Sequence, residues 1–284
     1  MRPLTRVDGG LQNWSVSEFY GIRLEPHAIH GWSTRRLPFE PKGWLKDYRY
    51  ALRQALRSLP PVEGTHLRAV YASPRPEFVD VENVLLYNVG SGSYHHLTGS
   101  GLEVLRTVSA DALHHVSYQL TTRSAAELSI GEVLASVSLD ALPEDRDKPG
   151  SWWAAMRSRM TTTGGEAEAE YTVDILVTRQ TSSFVSAVKP MLDGLISALH
   201  VHDGSHRDHL LAALARYGDP AQLWTQLNDP ATSVLGRRTL VRPHGRGIAW
   251  NPADDVCSGF RIMHSARGPL LTARVHSRGP ELRP

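Results

Sequence analysis

The stretch that most restricts the possible folds is residues 42–59. Trp44, Tyr48, Leu52, Ala55, Leu56 and Leu59 recur there at spacings of three and four. That rhythm places them along one side of an α-helix and requires an apolar surface to receive them. Pro60-Pro61 ends the helix, because proline lacks the amide proton a further turn needs. The period then changes. Residues 66–73 read as a strand, Pro74-Arg75-Pro76 as a turn, and 81–88 as one or two helical turns ending at Gly90-Ser91-Gly92. Alternating apolar and polar positions predict strands over 114–122 and 132–139, pairing as antiparallel neighbours. A further strand is expected over 169–178, with Tyr171, Val173, Ile175 and Val177 on one side. Helices are expected over 151–160, 189–199, 206–217 and 220–227, and a strand over 19–24. Residues 26–41 read as an irregular basic loop, the first ten residues as a loose tail, and the region beyond Arg238 as short strands. The expected fold class is α/β (α+β), with mixed sheets flanked by helices.

A chain of 284 residues with 41% hydrophobic and 21% charged residues can bury a substantial core and is unlike a disordered polymer. Residues 143–150 are charged, with a proline near each end and a terminal glycine, which suits a hinge between halves 1–148 and 149–284. A strand, a turn and a short acid-bearing helix occur in both halves; a tandem duplication is one reading, and chance similarity between two β-α units is the plainer one. Runs such as Val84-Leu85-Leu86-Tyr87 are far too short to cross a bilayer, and the N-terminal residues lack the apolar core of a secretory signal. Cys257 is the single cysteine, which excludes an internal disulfide and a thiolate metal cluster. The expected compartment is the cytoplasm, with no membrane partner. Dinucleotide-binding, phosphate-loop and serine-hydrolase motifs do not occur, which removes those enzyme classes.

Three constellations carry chemistry. In Asp80-x-Glu82-Asn83, two carboxylates follow a strand at a helix start and can converge on a hard divalent cation such as Mg²⁺. An ion held there beside a phosphodiester would activate water and stabilise the leaving oxygen. The plainer reading is a helix cap, with Asp80 accepting backbone amide protons. Second, residues 200–209 hold His200, His202, His206 and His209 with two aspartates, a set able to ligate Zn²⁺, Mn²⁺ or Fe²⁺, though Gly204 opposes a continuous helix presenting them. Its plainer reading is a polar turn between helices. Third, Lys42, Lys46, Arg49, Arg53 and Arg57 run down one side of the 42–59 helix, opposite the apolar stripe, and Arg35 and Arg36 extend the patch. Such a row can track phosphates. A net charge of +2 by itself implies no polyanion, but nine arginines against three acids from Arg237 onward form a local positive excess. Those arginines serve equally as scattered partners for acids elsewhere.

The order of strand 20–24, basic loop, helix 42–59, strand 66–73, Pro-containing turn and Asp80-x-Glu82-Asn83-Val84 resembles the RusA family of Holliday junction resolvases, over about residues 19–90. The resemblance implies a homodimeric α/β endonuclease in which Asp80 and Glu82 match the metal-binding acids of the family's Asp-x-Asp-Asn-Leu motif and Asn83 its asparagine. Leu86 stands where the family has a lysine, and Gly90-Ser91-Gly92 interrupts before any third acid. Lys189-Pro190-x-x-Asp193 is similar to a Lys-Pro-x-x-Asp run of the family, with Gly194 replacing asparagine. Two degenerate copies in one chain would imitate the family's dimer. The leading expectation is a nucleic-acid-binding protein related to metal-dependent endonucleases, with weak or lost cleavage. In an active form Asp80, Glu82 and Asp193 would be the catalytic and Mg²⁺-binding acids. Alternatives are a small-molecule metalloenzyme whose Zn, Mn or Fe site includes His200 and His202, or a non-catalytic subunit facing a protein partner. Trp152-Trp153 reads as core rather than a base-stacking pair, and Cys257 as a small buried hydrophobe.

Overall fold

The computed structural model describes residues 19–124, 131–164, 170–178, 184–245 and 247–278. The N-terminal tail, Arg246 and Arg283 lie outside the described residues. The chain opens with a hairpin of β1 (Tyr20–Glu25) and β2 (Ala28–Ser33), followed by α1 (Trp44–Ser58) and β3 (His66–Ser73). A π-helical turn (Asn83–Tyr87), α2 (Ser91–Tyr94) and a 3-10 turn (His95–Leu97) lead to β4 (Gly101–Val108) and β5 (His114–Thr121). Then come β6 (Val133–Leu139), α3 (Pro149–Arg157), β7 (Thr161–Thr162), β8 (Tyr171–Thr178) and α4 (Val188–Ser197). An excursion follows through β9 (Val201–His202), α5 (Arg207–Leu214), α6 (Pro220–Leu227), β10 (Arg237–Arg238), β11 (Val241–His244) and β12 (Gly247–Trp250). The last strands are β13 (Cys257–Ser265) and β14 (Leu271–Ser277).

Ten strands form one mixed sheet in the order β1-β2-β5-β3-β4-β13-β8-β14-β6-β7, so the fold is mixed α/β with flanking helices. The sheet repeats a pattern on either side of its centre. β3 runs parallel to β4 and antiparallel to β5, and β5 pairs antiparallel with β2. In the same way β8 runs parallel to β13 and antiparallel to β14, and β14 pairs antiparallel with β6. β4 and β13 meet antiparallel in the middle, with Glu103 opposite Arg261. Both the path from β2 through α1, β3, the π-turn and β4 to β5, and the path from β6 through α3, β8, α4 and β13 to β14, therefore trace one topology. The boundary between these units falls between β5 and β6. Residues 143–148 lie between β6 and α3, and Pro149 and Gly150 open α3.

One buried core lies on the helix-covered face. Leu67, Ala69 and Tyr71 of β3, Leu102 and Val104 of β4, and Tyr171, Val173, Ile175 and Val177 of β8 pack there with Tyr48, Leu52 and Leu56 of α1 and Met191 and Leu195 of α4. Leu52 and Leu56 have no exposed surface, so truncating either to alanine costs about 2–5 kcal/mol. Trp152 and Trp153 are buried in the same core, and so is Cys257. The opposite face carries charges, including a two-pronged Arg261–Asp174 pair at 2.6 and 3.0 Å. Arg278 pairs with Glu170, so this part of the C-terminal arginine excess is matched within the fold.

Three expectations need correction. Residues 26–41 contain β2, because Pro26-His27 is a tight turn and Gly31 lets the strand lie against α1; a Cβ there would sit 2.6 Å from the Tyr48 hydroxyl. β5 and β6 are not neighbours. Each alternates because one of its faces is buried, but β5 lies between β2 and β3 while β6 lies between β14 and β7. β4 is a strand the sequence does not suggest, since Glu103 and Arg106 make it look polar although both are buried. Among the described residues, no helix is long and apolar enough to cross a membrane.

A candidate ion cluster between the two units

The acid-bearing turns after β3 and β8 face each other. Asp80 Oδ1 accepts the Asn83 backbone N–H at 3.1 Å, so it does cap the π-turn. Its second oxygen accepts from Lys189 Nζ at 3.2 Å. The same ammonium lies 3.5 Å from Glu82 Oε2, 3.4 Å from Asp193 Oδ1 and 3.7 Å from Asp254 Oδ2. Asp80, Glu82 and Asp193 are therefore brought together, as expected, by side chains from both units. Asp254 completes the ring from the turn before β13. The Glu82 side chain is 8% exposed, whereas those of Lys189 and Asp254 are 26% and 31% exposed, so one side of the cluster opens to solvent.

The scaffold accounts for the convergence. The Tyr118 hydroxyl of β5 donates to the Leu85 carbonyl at 2.7 Å and seats the π-turn on the sheet. Arg53 of α1 donates to the Asn88 carbonyl at 3.0 Å, and Asn88 donates to Leu37 O at 3.1 Å. In the second unit Gly194 allows α3 and α4 to touch: a Cβ there would lie 2.4 Å from Trp152 Cβ and 2.7 Å from Pro149 O. Close helix packing thus explains glycine where the first unit has Asn83. Arg106, 5% exposed, donates to Val79 O at 3.2 Å, to Asp255 O at 2.8 Å and to Glu170 at 3.0 Å. It ties the residue before Asp80 to the residue after Asp254.

Burial dominates the electrostatics. It pushes the Glu82 carboxyl up to about 8, with Lys189 opposing and Asp80 and Asp193 reinforcing the rise. Asp254 is raised to about 7 by burial and then by Asp80. Asp193 is raised by burial against the pull of Lys189. Burial alone would lower the Lys189 ammonium, but Glu82, Asp193, Asp80 and Asp254 together hold it above the ordinary lysine range. The oxygens stand 3.2–3.7 Å from Nζ, a spacing suited to an ammonium. Mg²⁺ needs oxygens at about 2.1 Å and Ca²⁺ at about 2.4 Å, so either ion would need Lys189 withdrawn and the acids drawn inward. Among the described residues no three His, Cys, Asp or Glu side chains are arranged to hold a metal ion.

His200 and His202 serve the backbone. His200 Nε2 accepts the Ala253 N–H at 3.2 Å, and its Nδ1 accordingly donates to Gly236 O at 3.2 Å. Burial lowers His200 to about 4, so it is neutral near pH 7. With the Tyr171 hydroxyl, which donates to Ala253 O at 2.7 Å, it pins the turn carrying Asp254. His202 bonds the Ser205 carbonyl through Nε2 at 2.9 Å. On α1, Lys46 and Arg57 are exposed and Arg49 and Arg53 half-buried, with Lys42 exposed just before the helix. Among the described residues no carboxylate pairs with any of these five. Arg36 is instead 3.4 Å from Glu77, and Arg35 is exposed in the preceding loop.

Lys189 and Asp254 are the members sequence reasoning undervalued. Lys189 stood four residues before Asp193, which on a helix puts both on one face; that spacing was the available signal. Asp254 stood beside Asp255 in a turn, a pair of acids that suggests a metal role only weakly, and nothing in the sequence links it to Asp80, because only the sheet brings the two together. Compared with protein-family models, curated proteins and solved structures, the chain matches none.

Proposed function

We propose that this chain is a nucleic-acid-binding protein of RusA-like descent in which two units within one polypeptide replace a dimer, and in which cleavage is weak or lost. The observation that carries the reading is the cation position between the units. Asp80, Glu82 and Asp193 meet there, and the charge they surround is the chain's own Lys189 ammonium. A nuclease of the two-acid type needs a metal at such a place to activate water. An ammonium neutralises the acids and locks the units together, but it cannot generate a metal-bound hydroxide. The phosphate-tracking element is the row Lys46, Arg49, Arg53 and Arg57 on α1, eleven residues of helical rise or about 16 Å, with Lys42 just before the helix; the five cations have no carboxylate partner among the described residues.

The test is fluorescence anisotropy on single-stranded and four-way branched DNA between about 50 and 200 mM salt, with gel analysis of the same DNA after incubation in Mg²⁺. Five phosphate contacts give a log–log salt slope of about −4.5 on duplex arms and about −3.5 on single strands. Binding with such a slope and no rapid Mg²⁺-dependent cutting supports the reading. Absence of binding at low salt, or multiple-turnover cleavage that survives loss of Asp80, refutes it.

A further inference from the structure

A second polar constellation lies away from the ion cluster, where β3 ends and β5 begins. A cavity of about 500 Å³ opens there, lined by Pro74, Arg75, Glu77, Asp111, Ala112 and His114. Tyr71, at the end of β3, donates its single hydroxyl proton to the Glu77 carboxylate. With that proton committed, the Tyr71 oxygen accepts from His114, whose Nδ1 is 2.8 Å away. Nδ1 then carries the ring's proton and Nε2 is left as an acceptor with no protein partner among the described residues. Arg36 at 3.4 Å holds Glu77 in place. Burial lowers His114, against a smaller opposing effect of Glu77, which favours the neutral ring this arrangement needs.

The second unit shows that the fold does not require these groups. β8 and β14 there occupy the places of β3 and β5, and a cavity of about 300 Å³ at the end of β8 is lined by Val177, Phe184, Met191 and Leu271 together with Arg146, Asp147 and Ser186. Leu271 opens β14 as His114 opens β5. The strand positions at that corner are the apolar Val177 and Leu271 in one unit, whereas the other carries an oriented imidazole with an arginine lining the same cavity. Arg75 is exposed and forms no ion pair among the described residues.

We propose that the cavity at the end of β3 binds a small anion bearing a hydroxyl group, with Arg75 receiving the anionic group and His114 Nε2 accepting the hydroxyl proton in a hydrogen bond. A cavity of this volume is in the range of small-molecule sites and takes a three- to six-carbon ligand. A carboxylate or a phosphate would supply the same charge to the guanidinium.

The test uses the full chain and nitrogen-correlated NMR of the histidine rings, titrated separately with glycerol 3-phosphate, lactate, inorganic phosphate and glycerol. The expected result is that His114, like the buried His200, shows the Nδ1–H form in the free protein, and that one of the two hydroxylated anions shifts His114 saturably while leaving His200 in place. Inorganic phosphate, which lacks an alcohol group set apart from its charge, and glycerol, which lacks a charge, should each bind at least about tenfold more weakly. Which of the first two probes binds separates phosphate from carboxylate. Arg75→Ala, at an exposed position that folding does not depend on, should weaken that binding about tenfold or more. Tyr71→Phe should shift His114 away from the Nδ1–H form, a change that simple loss of packing would not produce. No saturable shift with either hydroxylated anion, binding indifferent to Arg75→Ala, or His114 in the Nε2–H form in the wild-type chain would overturn the proposal.

Discussion

Replacing Glu82 by glutamine tests the ion cluster most directly, because the substitution keeps the shape of a protonated glutamate and removes its titration. The folded chain holds this carboxyl at about 8, against the ordinary glutamate value of 4.5 that serves for the unfolded chain. A carboxyl raised on folding contributes stability that is fully present below its unfolded value and is lost as pH rises through its folded one. Between about pH 5.5 and pH 7 the folded state keeps the proton and the unfolded state has released nearly all of it. The wild-type chain should then lose about 1.2 kcal/mol per pH unit from this group, close to 2 kcal/mol across the window. For a chain of this length that is a fall of roughly 4 °C in Tm. Asp254, raised to about 7, adds a loss of the same sign up to neutrality. Glu82→Gln should abolish the larger part of the slope and melt higher than wild type at pH 7.5, with little difference near pH 4.5. Scanning calorimetry or chemical denaturation at four or five pH values measures both curves. Parallel curves, with a constant offset across the range, would show that Glu82 is not a buried, protonated member of the cluster.

Lys189→Ala should destabilise the chain by about 3–5 kcal/mol in chelator, since it leaves several partly buried carboxylates without a counter-charge; added millimolar Mg²⁺ or Mn²⁺ should recover part of the loss in a melting curve, and no recovery would argue that the acids cannot close on a metal. Arg106→Leu should cost about 2–3 kcal/mol in a urea titration, because the buried Val79 O and the partly buried bonds to Asp255 O and Glu170 lose their shared donor. Neutralising Lys46, Arg49 and Arg57 together should flatten the salt dependence of DNA binding by about two to three units of log–log slope while leaving stability within about 1 kcal/mol. Gly194→Ala should destabilise by about 3 kcal/mol or more in the same titration, since its methyl would meet the backbone of α3.

Local periodicity made the strongest elements legible. The helix with Tyr48, Leu52 and Leu56 on its inner side, the strand from His66 to Ser73 and the alternating β8 all occupy the places their patterns predict, because one buried face per element leaves a period in the sequence. β4 left no such trace. Its Glu103 and Arg106 are charged yet buried, matched by partners that lie far away in the chain. The acidic pair Asp80 and Glu82 was visible as a local spacing, and Asp193 as a residue in a similar unit. Their meeting point was not visible, because it depends on β4 pairing with β13 and so bringing two turns from distant stretches together.

The order of residues thus determined which segments coil and which extend, where prolines and glycines interrupt them, and which side of each is apolar, all consequences of short-range backbone and side-chain geometry. Only the tertiary structure decided that an ammonium sits among four acids, that His200 braces a turn, and that Tyr71 orients His114. Each of those depends on distances between groups far apart along the chain, which packing sets and local pattern does not encode.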